Sequence, residues 1–270
     1  MNSAETESGG IDRDFALCLH KVLTAGADEL FQLIQDPSME LLKAALKNPS
    51  FSEPHYLAIL KRRDLSEDFL RAACQSKVAL ESHLVRVALA HHPTIPAVQL
   101  LALLPHLHLF EMSAICTLPG VTSDQKVAAE RAIIQRLPTT PLGIKVTLAH
   151  RATSAVVEQL LKEGDSRLTA ACLDSGRLKE GAVFQFLRGS AASPESISMI
   201  ARHQRWQSRP NVRMAILSHP RTPLVWFTLW LPTMKTAEVR NLYESQRLSQ
   251  LQRREVLEEL DRRMHRSNRR

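Results

Sequence analysis

Val85-Arg86-Val87-Ala88, followed by His92-Pro93, Pro96, Val98 and Leu104-Pro105, returns later as Val212-Arg213-Met214-Ala215, His219-Pro220, Pro223, Val225 and Leu231-Pro232. Each pair is separated by 127 residues. The same offset places Leu33 on Leu160, Leu41 on Leu168, Ala44 on Ala171, Leu46 on Leu173 and Leu60 on Leu187. It also pairs Glu53 with Glu180, Ser66 with Ser193, Glu111 with Glu238 and Gln125 with Gln252. One matched segment is weak evidence. A single ungapped register over about a hundred and twenty residues is strong evidence of an internal repeat. The expected organisation is a tail at 1–11, two equivalent and continuous halves at 12–137 and 138–264, and a basic tail at 265–270.

A shorter pattern recurs inside each half: an aliphatic residue, then Arg or Lys, then Ala and further apolar positions, a break, and a second apolar run. It begins at Leu42-Lys43, Val85-Arg86, Ile144-Lys145, Val212-Arg213 and Val239-Arg240. Each unit of about 20 to 27 residues reads as two short helices. The first helix of the Val85 unit ends near His91-His92-Pro93, because proline disfavours helical geometry in the residue before it. Thr94 is then the expected N-cap, Pro96 sits in the first turn, and Val98, Leu101 and Leu104 form the buried stripe. Thr222 and Pro223 repeat that logic. Helices this short are marginal alone in water and gain their stability by stacking on neighbours. The fold class is therefore all-α: an α-solenoid of stacked short helix pairs, internally duplicated with a 127-residue offset.

Composition agrees. The chain has 270 residues, 44% hydrophobic and 23% charged, with only nine glycines, which argues against a turn-rich β fold. Met1 to Gly10 is polar and acidic, unlike a secretory leader. The apolar run Leu224 to Leu231 is too short to span a bilayer, and Pro105, His106 and His108 break the run from Leu100 to Phe110, so no membrane insertion and a cytoplasmic location are expected. The net charge of +7 is concentrated at one end. Eight arginines between Arg247 and Arg270 face Glu255, Glu258, Glu259 and Asp261, giving +4 there and +3 elsewhere. The arginines of this end, Arg262-Arg263, Arg266 and Arg269-Arg270, read as a charged, disordered cap. Cys18, Cys74, Cys116 and Cys172 lack any CxxC spacing and read as small buried apolar residues in helix interiors.

The short units, with Asn48-Pro49, His92-Pro93 and His219-Pro220 between helices, resemble the HEAT/armadillo superfamily and are similar to the variant leucine-rich repeats of bacteria. The resemblance covers most of the chain. It implies a protein-binding scaffold, and for a minority of such proteins nucleic-acid binding, including DNA-repair glycosylases of HEAT-like fold.

Two segments are candidate binding sites. In His203-Gln204-Arg205-Trp206-Gln207-Ser208-Arg209-Pro210, a tryptophan lies between Arg205 and Arg209 where the first half has an ordinary helical stretch, Ser76 to His83. Such a ring can stack on a base or on a partner bearing carboxylates; the plainer reading is that Trp206 fills a gap between repeats. In Leu224 to Leu231, Trp226 and Trp230 are four residues apart and share one side of a helix, as a partner-binding face or as core. The recurring Lys43, Arg86, Lys145, Arg213 and Arg240 are expected to pair with acidic residues of neighbouring units. His91-His92 and His106-x-His108 lack convergent partners in the sequence, while His92, His150 and His219 suit hydrogen bonding at helix ends, so neither a metal nor another cofactor is expected. No GxSxG elbow, phosphate loop, dinucleotide glycine fingerprint or HExxH is present. These features point to a non-catalytic scaffold for a protein or peptide partner, with nucleic-acid binding or modification as the alternative.

Overall fold

The computed structural model describes residues 13–267, with side chains to 265, and forms helices without a strand among them. The expected tail at 1–11 and residues 268–270 of the basic tail lie outside the described residues. No helix among those described is long and apolar enough to cross a membrane. The chain divides into two compact units between Ile133 and Ile134.

Unit 1 contains α1 (Arg13–Thr24), α2 (Ala27–Leu33), α3 (Met39–Ala45), α4 (Glu53–Ile59) and α5 (Glu67–Cys74). It continues with α6 (Lys77–Glu81), α7 (His83–Ala90), α8 (Ala97–Leu103), α9 (Leu109–Ile115) and α10 (Ser123–Arg136), whose last turn carries the boundary. Unit 2 contains α11 (Leu142–Arg151), α12 (Ser154–Leu161), α13 (Ser166–Asp174), α14 (Glu180–Arg188) and α15 (Pro194–Arg202). It ends with α16 (Gln204–Gln207), α17 (Pro210–Leu217), α18 (Leu224–Trp230), α19 (Thr236–Glu244) and α20 (Gln250–Ser267).

Most helices are one to two turns long, and their starts are written locally. Ser38, Ser66, Ser76 and Ser82 accept from the backbone N–H three residues on, at 3.2–3.4 Å. Asp165 does the same for Arg167 and Leu168 at 2.9 and 3.1 Å. Such a cap contributes about 1 kcal/mol, which does not hold a seven-residue helix in water. Packing supplies the rest. In unit 1, α3 packs on α1 and on α5, α2 on α4, and α4 on α7. In unit 2, α13 packs on α11 and α15, α12 on α14, and α14 on α17. Helices two or three places apart in the chain thus become neighbours, and their facing sides are leucine, isoleucine, valine, alanine and phenylalanine with almost no exposure.

Polar side chains, among them the buried Asn48, His92 and Gln252, tie each corner to the one before it. Asn48 donates to the carbonyls of Val22 and Ala25 at 2.7 and 3.0 Å. Arg62 donates to Ile34 and Asp36, and the His92 ring donates from Nε2 to Arg62 at 2.7 Å. In unit 2, Arg205 donates to Ser175 and Leu178, and Gln252 Nε2 to His219, Pro220 and Thr222 at 3.2, 3.1 and 2.8 Å. These links reach back 23 to 33 residues, from within the unit of about 20 to 27 expected from the motif spacing to somewhat beyond it.

Several local geometries recur 127 residues apart. Glu111 accepts from the His108 N–H at 2.7 Å, and Glu238 from Lys235 at 2.9 Å. Gln125 accepts from Thr122 and donates to Ile95; Gln252 accepts from Ser249 and donates to Thr222. His92 accepts from the Thr94 N–H and His219 from that of Arg221. The Leu104-Pro105 and Leu231-Pro232 pairs each open a short 3-10 turn.

Four expectations change. Thr94 is not the cap of α8: its hydroxyl donates to Leu65, and Pro96 is the cap residue. The buried stripe of α8 is Leu100 and Leu103, continued by Leu104, while Val98 and Leu101 are 72% and 53% exposed. Pro96 sets the start at Ala97, and a seven-residue helix has one phase in which both ends meet the core. Arg262 and Arg263 belong to α20, not to a disordered cap: both pair with Glu259, and Arg263 donates to Met234. Among the five recurring cations, Lys145 has an acidic partner, Glu163 at 2.7 Å; Arg213 instead donates to Gln207 and lies over the Trp230 ring.

The cysteines also divide. Cys116 and Cys172 are buried and Cys74 half-buried, but Cys18 is exposed on α1. Burial pushes the Cys74 and Cys116 thiols up to about 11 and that of Cys172 to about 12. Native protein treated with a maleimide near pH 7 is expected to be labelled at Cys18 alone, the other three reacting after denaturation; peptide mapping by mass spectrometry checks this.

Candidate functional site

Each unit has a cleft between two of its helices, and the helices concerned lie 127 residues apart in the chain. In unit 1 the cleft between α4 and α7 has a volume of about 510 Å³, floored by Leu57, Leu60 and Ala88 and edged by Lys61, Arg63 and His91. In unit 2 the cleft between α14 and α17 measures about 310 Å³, with Phe184, Leu187 and Ala215 below and Arg188 and Arg247 at the edge. Shifted by 127, Leu57 falls on Phe184, Leu60 on Leu187, Lys61 on Arg188 and Ala88 on Ala215. A further cleft of about 530 Å³ shares Phe184 and Met214 with it and adds Glu180 and Asn211.

The charges on these edges are unequal in availability. Arg62 also lines the first cleft but is committed to Ile34, Asp36 and Asp64, and its guanidinium holds the Asp64 carboxyl below the ordinary carboxylate range. His92 is committed to Arg62 and Thr94. Lys61 and Arg63 are exposed and form no ion pair among the described residues; Arg188 lies over the Phe184 ring at 5.4 Å. In the second cleft, burial holds the His219 ring below the ordinary imidazole value against the raising effect of its hydrogen bond to the Gly189 backbone. It is therefore neutral at pH 7, and the net charge of that cleft comes from Arg188 and Arg247. Neither of these two clefts is lined by a carboxylate among the described residues.

The five candidate residues from the sequence fall in different settings. Trp206 is 2% exposed, and its stretch is itself a helix, α16, in the place of α6 rather than a departure from helix. Arg205 lies over the Trp206 ring at 4.5 Å and spends its guanidinium on two backbone carbonyls. Arg209 is exposed and pairs with Glu180 at 3.9 Å. Trp226 is buried, donates to Ser198 at 3.1 Å and meets Trp230 at 5.1 Å between ring centroids. Trp230 is half-buried, and Leu224, Val225 and Leu229 are the exposed side of that helix.

One cluster was not foreseen. His83 Nε2 lies 2.9 Å from Glu111 Oε1, the His83 and His108 ring centroids are 4.7 Å apart, and one ligand atom from each of the three residues lies within 4.8 Å of the others. Burial alone would raise the Glu111 carboxyl; the His108 N–H and the His83 ring outweigh it and hold it below its ordinary value. The sequence spacing His108-x-x-Glu111 was available as a signal, but His83 reaches it only through the packing of successive turns.

No protein-family model, curated protein or solved structure matches this chain.

Proposed function

We propose that the chain is a non-catalytic, cytoplasmic interaction scaffold, an internally duplicated α-solenoid of HEAT/armadillo type, that holds acidic, partly apolar segments of a partner protein. The pair of clefts related by the 127-residue shift carries this reading: each has an aliphatic or aromatic floor and an edge of cations without acidic partners. An extended peptide with alternating carboxylates and leucines matches that layout, its apolar side chains covering the floor and its charges meeting the rim. The nucleic-acid alternative draws less support, because Trp206 has no open ring face and Arg205 is already engaged.

Fluorescence anisotropy with a labelled peptide of alternating glutamate and leucine tests this. Binding is expected to weaken roughly tenfold or more when Lys61, Arg63, Arg188 and Arg247 are all reversed to glutamate, and a lysine-leucine peptide of the same length should not bind. Tighter binding to single-stranded DNA of matching length, with steep loss on added salt, would replace this reading with the nucleic-acid one.

A further inference from the structure

We infer that His83, His108 and Glu111 form a binding site for a divalent transition-metal ion, with zinc the ion their chemistry fits. Two imidazoles and one carboxylate are a borderline-soft nitrogen and oxygen set of the kind zinc takes with a position left for water. Ligand atoms around a tetrahedral zinc lie about 3.3 Å apart, given metal–ligand bonds of about 2.0–2.2 Å. The His83–Glu111 edge is already at 2.9 Å and the widest separation is within 4.8 Å, so closure needs movement chiefly from the exposed His108. His83 would bind through Nε2 with its proton moved to Nδ1, the ion replacing the hydrogen bond to the carboxylate.

The histidines are more than the fold requires. Glu111 caps α9 through the His108 N–H, and Glu238 caps α19 in the same way through Lys235. At the position of His83 unit 2 has Pro210, and at that of His108 it has Lys235, neither able to serve as an imidazole ligand. The cap and the packing of α17 are thus achieved without either histidine. What unit 1 adds is two ring nitrogens brought to one carboxylate. His91 supports the arrangement from behind: its Nε2 donates to the Glu111 backbone carbonyl at 3.3 Å, holding the first turn of α9 against α7. It is a positioning residue rather than a ligand.

The test uses tag-free, full-length protein stripped with a chelator and titrated with zinc against a chromophoric competitor, followed by cobalt substitution. One tight equivalent of zinc is expected, and the cobalt form should show the intense visible bands of a low-coordinate nitrogen/oxygen site. The double variant H83N/H108N should lose that equivalent and those bands while keeping the helical circular dichroism, since asparagine is a good residue at the cap of α9 and the Ser82 cap of α7 is untouched. H91A should retain the site with affinity lowered about tenfold. Native protein that takes up no zinc, or a folded double variant that binds it as tightly, would overturn the assignment.

Discussion

Trp206→Ala is expected to destabilise unit 2 by about 3–5 kcal/mol, the range for removing a large aromatic side chain from a closed core. Trp206 is 2% exposed, and at the corresponding place in unit 1 stands Ala79, itself 1% exposed. The two cores fill with different side chains. Unit 1 combines Ala79 with Phe51, Tyr56 and Phe69, all buried; unit 2 combines Trp206 with the smaller Leu178, Val183 and Ser196 at the corresponding positions. Truncation of Trp206 therefore leaves a void that no neighbouring aromatic of unit 1 type is there to fill. Trp206→Phe should cost much less, because the indole Nε1 is buried without an acceptor and its loss breaks no hydrogen bond. All three tryptophans lie in unit 2, so the fluorescence of Trp226 and Trp230 follows that unit through a urea titration of W206A. An unfolding midpoint unchanged in W206A would show that the ring is not a packing element. The same burial means that loss of any binding activity in W206A cannot be attributed to a missing contact surface.

Gln252→Leu should cost about 2 kcal/mol or more, since the two N–H groups of its amide are lost to the Pro220 and Thr222 carbonyls and each orphaned group costs about 1–3 kcal/mol where water cannot reach it, while the His219 carbonyl keeps the Thr222 N–H. Gln125→Leu should cost less, as its amide serves one such carbonyl, that of Ile95. The sharper variant is Q252E. A carboxylate there keeps the acceptor for the Ser249 N–H but sets negative charge against the carbonyl oxygens of His219, Pro220 and Thr222. The new acid would titrate at a higher pH in the folded state than in the unfolded one, so folding takes up a proton and the variant becomes more stable as pH falls toward its unfolded value of about 4.3. Thermal melts of wild type, Q252L and Q252E between pH 7 and pH 5 separate the cases. A deficit in Q252E that does not narrow on acidification would mean that the amide is not the donor holding this corner.

The helical class could be read from the chain because it rests on local rules: proline placement, aliphatic periodicity and the scarcity of glycine. The end of α7 at His91 follows from such rules. The phase of α8 did not, because a helix of two turns offers too few apolar positions to separate the stripe Val98-Leu101 from the stripe Leu100-Leu103. Cys18 was misjudged for a related reason: a small apolar residue on an amphipathic helix carries no mark of which side it occupies. The clefts and the His83 cluster were out of reach for a different reason. Their members come from turns some 28 residues apart, and only the packing of successive corners brings them together.

The links between corners have a consequence for how such a chain tolerates change. Asn48, Arg62, Arg205 and Gln252 grip main-chain oxygens, which every residue type presents alike. Substitution at a gripped position leaves the grip intact, whereas adding or deleting one residue moves the oxygen out of range. Sequence can drift freely at these corners while length cannot, which is the behaviour of a register that runs without a gap although few of its letters recur.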